Sequence, residues 1–573
     1  MRADYIVSIV ILVYLLGYFI YSRFLEKHVF KIDDSRLTPA HEFNDGEDFV
    51  PTRKTILFGH HFASIAGVAP IIGPCIAVYW GWLPALLWVV LGNITMGAVH
   101  DMGVLFLSVR NKAKSLSEIA GTLLGRQSKL ALLFIIVFLL WIVAAAFSVV
   151  IARLFISYPA SVIPTAVASV LAVIMGFILY RWKIHALLPS LICLALLYLS
   201  IPVGAEYPLD LSLILNIDPG IAVAIWVLTL LLYAYIASVL PVWVLLQPRD
   251  YINSHQIVVG LGILVFGIFI TKPEIVAPMI NLEAEKPWFP FLFITIACGA
   301  ISGAHGLIAS GTTSRQINKE SDIRPIGYGS MLLEGFLALL AVLAATAGFK
   351  NYDGWCLHYG NWAHASKHAL DAFVNGCVGF LEILGLDPSL SAAFIAVIII
   401  SFASTSLDTL FRIQRYMLAE IGELTEIKPL ANKYLGSLVA VITVSLLVYS
   451  DGFEMEGAFK LWPLFGTTNQ LMAALALLII AVYLKNRHCE ESCRSEAKAD
   501  DAAIFRQAHL VVLIPGLALS ALTLYANYYS VQNFIAETNY LLAGFSVLIM
   551  IFQMVITVDA LKRISLATHQ EPL

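Results

Sequence analysis

Residues 55–79, TILFGHHFASIAGVAPIIGPCIAVY, form an apolar stretch long enough to cross a lipid bilayer. Gly67, Pro70, Gly73 and Pro74 interrupt this stretch near its middle. In hydrocarbon, each backbone N–H or C=O group freed by such a break must be bound by a neighbour, a water molecule or a ligand. Broken membrane helices therefore line cavities, and in secondary transporters they commonly form the substrate site. We predict that this stretch is a discontinuous helix of a solute carrier.

The composition of the chain is that of a polytopic membrane protein. Of its 573 residues, 59% are hydrophobic and 13% are charged, whereas a soluble domain carries roughly 25% charged residues. The formal net charge is −4 and there is no basic tract, so nucleic acid is not an expected partner. The run from Ile6 to Leu25 lacks a small-residue cleavage site and precedes a basic segment. We interpret it as a retained span and not as a signal peptide.

Apolar runs of sufficient length predict about 15 transmembrane spans in an all-α fold. When the N-terminus is placed outside, most Lys and Arg residues fall on the cytoplasmic side, which predicts an N-out, C-in topology. The predicted spans cover 6–25, 55–79, 82–109, 129–155, 159–180, 184–204, 219–247, 254–272, 288–313, 325–348, 390–420, 432–450, 457–485, 506–528 and 537–560.

A second interruption lies in the span 219–247, where Pro241 stands inside an apolar run, LLYAYIASVLPVWVLLQPRDY. This span and 55–79 are five spans apart and opposite in direction. That relation predicts an inverted repeat of five plus five helices, whose first and sixth helices are broken and whose site lies where the repeats meet. The expected domains are 1–54 (an extra helix and a cytoplasmic loop), 55–204 and 219–420 (the two repeats, the second with an external loop at 349–389) and 432–573 (peripheral helices).

The two breaks predict what the site binds. Half-helices that begin near Pro70 and Pro241 would point their N-termini, with free N–H groups and a favourable dipole, at the centre of the protein. A carboxylate is the expected guest, and the alternative is that both prolines only kink packed helices. The predicted substrate-binding residues are Ser64, Gly67, Val68, Ala69, Pro70, Ser238, Pro241, Val242 and Trp243.

Hydroxyl groups in the span 288–313 predict a cation site. Ser310, Thr312 and Thr313, together with the backbone carbonyls of Ala66 and Gly67, could hold a hard cation such as sodium. The alternative is that these hydroxyls bond to carbonyl groups of their own helix.

Four histidines lie at similar depths in three predicted spans: His60, His61, His100 and His305, with Asp101 beside His100. Ionisable groups at membrane depth are expensive and are functional candidates. Histidine can carry a coupling proton or bind a metal, and we favour a proton relay. These five residues join Ala66 and the hydroxyl residues as predicted ion-coupling groups. His61, His100 and His305 are also candidate metal ligands.

The external loop 349–389 offers a weaker metal candidate, formed by Cys356, His364 and His368. The alternative is a disulfide between Cys356 and Cys377 with solvated histidines. In the span that follows, Asp408 and Arg412 are four residues apart on one helix face, which predicts an ion pair.

Long blocks of the chain, among them FGHHFASIAGVAPIIGPCIAVY, CGAISGAHGLIASGTTSRQI and KLWPLFGTTNQLMAALALL, resemble the carbon starvation protein A (CstA) family. The resemblance implies a carrier of peptides or, in some members, pyruvate, which enters with protons through a bacterial or archaeal cytoplasmic (inner) membrane. It also implies the LeuT-like five-plus-five fold of the amino acid–polyamine–organocation superfamily. It singles out Asn469 and Gln470 without giving them a role, and the sequence does not choose between peptide and pyruvate.

These observations predict a secondary active transporter and not an enzyme. No G-x-x-x-x-G-K-[ST] or H-E-x-x-H motif is present, so neither an ATP site nor a zinc protease is expected. The expected partners are the lipid bilayer and the nutrient, and a proton or sodium ion would supply the work without a cofactor, although a bound zinc ion is conceivable. The alternatives are a transporter-like nutrient sensor and an intramembrane haem or metal redox protein.

Overall fold

The structure, a computed structural model, describes residues 1–382, 385–449, 462–492 and 507–569. Among these residues, twelve helices are long and apolar enough to cross a membrane, and one bent pair of shorter helices raises the number to 13. Strands are absent from the described residues. These features confirm an all-α polytopic membrane protein, and the shorter apolar helix Lys433–Tyr449 stands outside this count.

Most helices in the first half of the chain are long enough to cross a membrane. They are α1 (Ala3–Phe30), α2 (Lys54–Ile65), α3 (Ala69–Ala77), α4 (Trp82–Arg110), α5 (Leu116–Leu123), α6 (Arg126–Ser157), α7 (Val162–Trp182), α8 (Leu187–Glu206), α9 (Pro219–Val239) and α10 (Leu246–Thr271).

The second half contains two short membrane helices, three short helices between long ones, and a peripheral group. They are α11 (Trp288–Thr295), α12 (Gly303–Gly311), α13 (Glu320–Ala347), α14 (Tyr352–Tyr359), α15 (Trp362–Lys367), α16 (Ala369–Glu382), α17 (Pro388–Thr425), α18 (Lys433–Tyr449), α19 (Trp462–Ser492), α20 (Leu510–Ala536) and α21 (Tyr540–His569).

Contacts between connecting segments define two ends of the bundle. At the first end, the loop 31–53 meets the chain after α12, where the Thr52 N–H donates to the Gln316 carbonyl oxygen over 3.1 Å. At the second end, the Trp80 indole N–H donates to the Lys286 carbonyl oxygen over 2.8 Å. Below, "first end" and "second end" keep these meanings.

The discontinuity predicted within 55–79 is present. Helix α2 stops at Ile65, α3 starts at Ala69, and the two helices are bent by 47°. Pro70 lies in the first turn of α3, where its missing N–H removes no helical hydrogen bond. Ala66 has φ −75° and ψ 56°, outside the helical region. The sequence thus ends one helix and starts the next within three residues.

The break predicted inside 219–247 is wrong. Helix α9 ends at Val239, and Leu240 adopts the extended backbone (φ −71°, ψ 148°) that a following proline favours. Pro241 therefore lies in a linker between α9 and α10, which begins at Leu246. It terminates a helix instead of breaking one.

The second break lies in 288–313, which was predicted as one continuous span. Residues 296–302 separate α11 from α12. Gly299 in this segment has φ +88°, and a Cβ atom there would stand 2.5 Å from the Ala338 Cβ. Glycine satisfies both the backbone angle and the close approach to α13.

The two breaks lie side by side in the centre of the bundle. A Cβ atom on Gly73 of α3 would stand 2.4 Å from the Thr295 carbonyl oxygen of α11, and a Cβ atom on Gly299 would stand 3.7 Å from the Pro70 Cβ. Four long helices, α6, α9, α17 and α18, pack against one another beside them. The most apolar windows of α6, α13, α17 and α19 are 83% to 94% buried, whereas those of α1, α7, α8 and α21 are 28% to 39% buried, so the latter form the lipid-facing periphery.

Candidate substrate and ion site

A small buried cavity of about 20 Å³ lies between the two breaks. Ser64 and Ala69 line it from the first break, and Cys298, Ala304 and His305 line it from the second. The remaining walls come from α6, α17 and α19. A volume of this size holds about one water molecule, so the structure is a closed form of the protein.

The structure divides the predicted substrate-binding residues into two groups. Ser64, Gly67, Val68, Ala69 and Pro70 are buried at the first break. A Cβ atom on Gly67 would stand 2.8 Å from both the Phe147 ring and the Ser406 hydroxyl, so α6 and α17 close tightly over this backbone.

The second group lies away from the cavity because the chain turns at Pro241. The Ser238 hydroxyl bonds to the Ser437 hydroxyl over 2.9 Å on α18. The Trp243 ring stacks on Tyr180 of α7 with centroids 4.2 Å apart. Ser238, Pro241, Val242 and Trp243 are therefore not brought to the cavity.

The hydroxyl groups opposite the first break come from α17 and not from α12. Ser406 donates to the Ser64 carbonyl oxygen over 2.9 Å, and the Ser64 and Thr409 hydroxyls are 3.4 Å apart. Ser310 and Thr312 instead donate to carbonyl oxygens of their own helix, over 2.7 and 3.1 Å. Ser310 and Thr312 thus make the bonds within their own helix that the alternative interpretation predicted. The STS run at 404–406 was the sequence signal for the α17 hydroxyls.

Three of the predicted ion-coupling residues meet in one buried cluster. The Nδ1 atoms of His100 and His305 lie 2.8 and 3.0 Å from the two carboxylate oxygens of Asp101. On its other side, His305 Nε2 lies 3.3 Å from Glu334 Oε1 on α13. All four side chains are 0% to 2% exposed. Glu334 lies within the predicted span 325–348, and nothing in the local sequence indicates its partner.

The other two histidines make separate contacts. His60 Nδ1 bonds to the Asp250 carboxylate of α10, and both side chains are fully buried. His61 Nδ1 lies 2.9 Å from the Thr313 hydroxyl. Asp250 was missed because it lies just beyond the predicted span 219–247, whereas the structure places it in the first turns of α10.

The ion pair predicted between Asp408 and Arg412 is wrong. Asp408 pairs with Arg249 of α10 over 2.6 Å and accepts from the Tyr233 hydroxyl over 2.7 Å. Arg412 donates to the carbonyl oxygens of Ala237 and Leu240 over 3.0 and 2.5 Å. Both carbonyl groups lie at the end of α9, where the helix itself supplies no donors. These tertiary contacts therefore replace the pairing that the i, i+4 spacing predicted.

One carboxylate holds the first end closed. Asp48 of the loop 31–53 accepts from the Tyr416 hydroxyl over 2.9 Å. Its oxygens lie 3.6 Å from Arg412, 3.9 Å from Arg415 and 3.9 Å from Arg315. The loop thereby connects α17 to the chain after α12.

Asp45 shapes the turn that presents Asp48. Partial burial acts to raise the pKa of the Asp45 carboxyl, but hydrogen bonds from the N–H groups of Glu47, Phe49 and Asp48 outweigh this effect and lower the pKa. A lowered pKa stabilises the turn at pH values above the ordinary carboxyl range, and this stabilisation is lost as the pH falls through the lowered pKa.

The second break is fixed by two residues whose role the sequence had left open. Asn469 Oδ1 accepts from the Ala304 N–H over 2.8 Å, which caps the start of α12, and Asn469 Nδ2 donates to the Ser302 hydroxyl over 3.0 Å. Gln470 donates to the Phe293 carbonyl oxygen over 2.5 Å. Both side chains satisfy backbone groups that the break frees.

Residues 2–352 and 359–494 match the model of a protein family described as carbon starvation protein CstA. The chain belongs to this family. It is 34% identical over 531 residues to the peptide transporter CstA of Helicobacter pylori strain J99 (82% of this chain, 76% of the relative). It is 32% identical over 577 residues to the peptide transporter CstA of Bacillus subtilis (93% and 91%). It is 37% identical over 359 residues to the pyruvate/proton symporter BtsT of Escherichia coli (60% and 49%).

Two solved structures are similar at low sequence identity. The transporter MhsT in complex with L-phenylalanine is 12% identical with a TM-score of 0.48, covering 82% of this chain and 98% of that one. A manganese transporter of Eremococcus coleocola is 14% identical with a TM-score of 0.44, covering 91% and 99%.

Family membership confirms the prediction of a nutrient transporter, because the relatives in this family are named as peptide transporters and as a proton symporter. The sensor and redox alternatives gain no support from these relatives. The name of one relative, the pyruvate/proton symporter BtsT, also favours the proton over sodium as the coupling ion.

One group of described residues has the donor atoms of a metal site. Atoms of Cys298, His305 and Glu334 lie within 4.8 Å of one another. The Cys298 sulfur also lies 3.3 Å from the Ser302 hydroxyl. His61 and His100 do not join this group.

In the segment 349–389, the rings of His364 and His368 have centroids 6.0 Å apart. Cys356 and Cys377 are free thiols, so the predicted alternative of a disulfide between them is not formed.

Proposed function

We propose that the protein is a secondary active transporter that imports small carboxylate-bearing nutrients, peptides or pyruvate, together with protons. The single observation that carries this proposal is the meeting of two broken helices at a buried cavity in a member of the CstA family. The names of the relatives support both substrate classes. The closed cavity implies alternating access, since a substrate can enter only after the walls move apart.

The inverted repeat is proposed with new boundaries, 54–271 and 288–487, in place of 55–204 and 219–420. In this division the break between α2 and α3 corresponds to the break between α11 and α12. The contact of α2 with α10 then mirrors the contacts of α11 and α12 with α19, and the pair α6–α9 mirrors α17–α18. Helices α7 and α8, which face lipid, become an inserted hairpin.

Substrate recognition is proposed at the N-terminus of α3. This nine-residue helix begins at the cavity, so the positive end of its dipole faces the cavity. Its first residue, Ala69, and Ser64 both line the cavity. A carboxylate placed there would be stabilised by the helix end and by the neighbouring His305 ring. Phe147 and Phe465 would exclude water around it, since both belong to the cavity wall.

The chain is proposed to lie in the bacterial cytoplasmic membrane with the first end in the cytoplasm and the N-terminus outside. The first end carries the basic loops around 110–129 and 412–433, which the positive-inside rule places on the cytoplasmic side. The relatives are bacterial.

Uptake into proteoliposomes tests the proposal. The full-length protein would be reconstituted and supplied with radiolabelled pyruvate or dipeptides under an inward proton gradient, an inward sodium gradient or no gradient. We expect accumulation above equilibrium only with the proton gradient, and collapse of that accumulation when a protonophore is added. A protein that binds these compounds but accumulates none of them under any gradient would be a sensor, and the transport proposal would fail.

A further inference from the structure

The buried cluster beside the cavity places two carboxylates on opposite sides of one imidazole ring. His305 Nδ1 faces Asp101 at 3.0 Å and His305 Nε2 faces Glu334 at 3.3 Å. An imidazole with a carboxylate at each nitrogen is stabilised in its doubly protonated, positive form. The cluster of Asp101, His305 and Glu334 then holds two negative charges and one positive charge.

The two carboxylates differ in how well their charge is stabilised. Both oxygens of Asp101 accept a hydrogen bond, one from His100 and one from His305. Glu334 has one side-chain contact of this kind, with His305 Nε2 at 3.3 Å, which is longer than either contact of Asp101. Glu334 is fully buried, and a buried carboxylate with few donors is costly as an anion and much less so as a neutral acid. Glu334 is therefore the member of the cluster best suited to take up a proton.

His305 connects this carboxylate to the substrate. The ring of His305 lines the cavity, whereas Glu334 lies behind it on α13. A substrate carboxylate that enters the cavity would be the third anion around the same imidazole. In surroundings of low dielectric constant, this added negative charge favours protonation of Glu334, the carboxylate of the cluster with the longer contact to His305.

We propose that Glu334 is the binding site of the coupling proton, and that it is protonated when a substrate carboxylate binds beside His305. This inference rests on the proposed function and names its coupling residue. The charge of the cluster is then the same before and after joint binding, because one anion and one proton arrive together. The expected stoichiometry is one proton for each substrate carboxylate.

Other titratable groups also lie around the cluster, on several helices. Asp101 and His100 face it from α4, and His61 faces it from α2. Tyr14 of α1 lies near Glu334, and the Cys298 thiol lies at the second break. None of these groups donates a hydrogen bond to Glu334 within the described part of the chain.

Glu334→Gln, the neutral mimic of the protonated acid, tests the proposal in proteoliposomes with a substrate that the wild-type protein transports. Two activities are measured: exchange of labelled for unlabelled substrate without a gradient, and accumulation driven by an inward proton gradient. We expect the variant to keep exchange and to lose accumulation. Glu420→Gln is the matched control, because Glu420 is also buried but bonds to Ser117 and Lys129 at the first end; it should keep both activities.

Proton uptake on substrate binding provides a second measurement that does not need transport. Binding to the detergent-solubilised protein is followed with a pH indicator in weak buffer. The wild-type protein and Glu420→Gln should take up one proton for each substrate, and Glu334→Gln should take up none. The proposal is overturned if Glu334→Gln still accumulates substrate, still takes up the proton, or fails to bind substrate at all. A wild-type protein that shows neither exchange nor accumulation would instead refute the transport function itself.

Discussion

Gly73 of α3 lies directly against the backbone of Thr295 at the end of α11, so close that a Cβ atom at position 73 would stand 2.4 Å from the Thr295 carbonyl oxygen. The two broken helices therefore touch at a point where only a hydrogen atom fits. In the proposed repeat, α3 and α11 belong to different halves.

Gly73→Ala should destabilise the closed form and impair transport. The added methyl group must push α3 away from α11, and overpacking of this kind costs about 1–3 kcal/mol. Thermal unfolding in detergent and initial uptake rates measure the two effects. Gly262→Ala on α10 is the control, since its Cβ would meet nothing within 4 Å; the change should leave uptake intact and stabilise the helix by roughly 0.5–1 kcal/mol. Equal behaviour of the two variants would show that the Gly73 contact is not restrictive.

Asn469→Ala should weaken substrate binding by loosening the second break. The substitution leaves the Ala304 N–H at the start of α12 without its acceptor, and an unsatisfied buried group costs about 1–3 kcal/mol. We expect a lower unfolding temperature and a raised KM, because Ala304 and His305 both line the cavity.

Asn527→Ala is the matched control for this change. Asn527 is a buried amide on the peripheral helix α20, and none of the described residues bonds to its side chain. Its removal should leave KM unchanged. If Asn469→Ala altered stability but not KM, the capping of α12 would have no bearing on the substrate site.

The first break was predictable because Gly67 and Pro70 stand in the middle of an otherwise uninterrupted membrane span. The second break was not, because residues 296–302 are nearly as apolar as their surroundings and contain one glycine with a positive φ. Pro241 had the stronger sequence signal, but a proline ends a helix as readily as it breaks one. Only the position of α10 distinguishes the two outcomes.

The candidate site was partly predictable for a similar reason. Histidines at membrane depth stand out in any hydropathy pattern, so His100 and His305 were found. The His305 partner Glu334 lies in another span, and the pairing of spans is a tertiary property. The pairing of Arg412 with Asp48, 364 positions away in the chain, likewise has no local signal.

Asp48→Asn should open the first end more often. The change removes the negative charge that lies against three arginines of α17 and the chain after α12. The positive charges of the three arginines then repel one another at a contact that is only partly exposed, since 25% of the Asp48 side chain is accessible. We expect faster exchange and a lower unfolding temperature. Glu47→Gln, an exposed neighbour in the same loop, should change neither quantity. A variant at position 48 that matches wild type in both would show that the loop does not hold this end closed.

Cys298 should report opening of the cavity. Its thiol lines the cavity, which at about 20 Å³ has no room for an alkylating reagent in the closed form. N-ethylmaleimide should therefore inactivate transport slowly in the wild-type protein and faster in Asp48→Asn, while bound substrate should slow the reaction in both. Cys298→Ser should resist inactivation. Cys75→Ser should not resist inactivation. Cys75 of α3 is buried against α13, with its thiol directed at the Ala341 carbonyl oxygen. Inactivation that persists in Cys298→Ser, or that substrate does not slow, would place the reactive thiol elsewhere and would separate the cavity between the two breaks from the transport path.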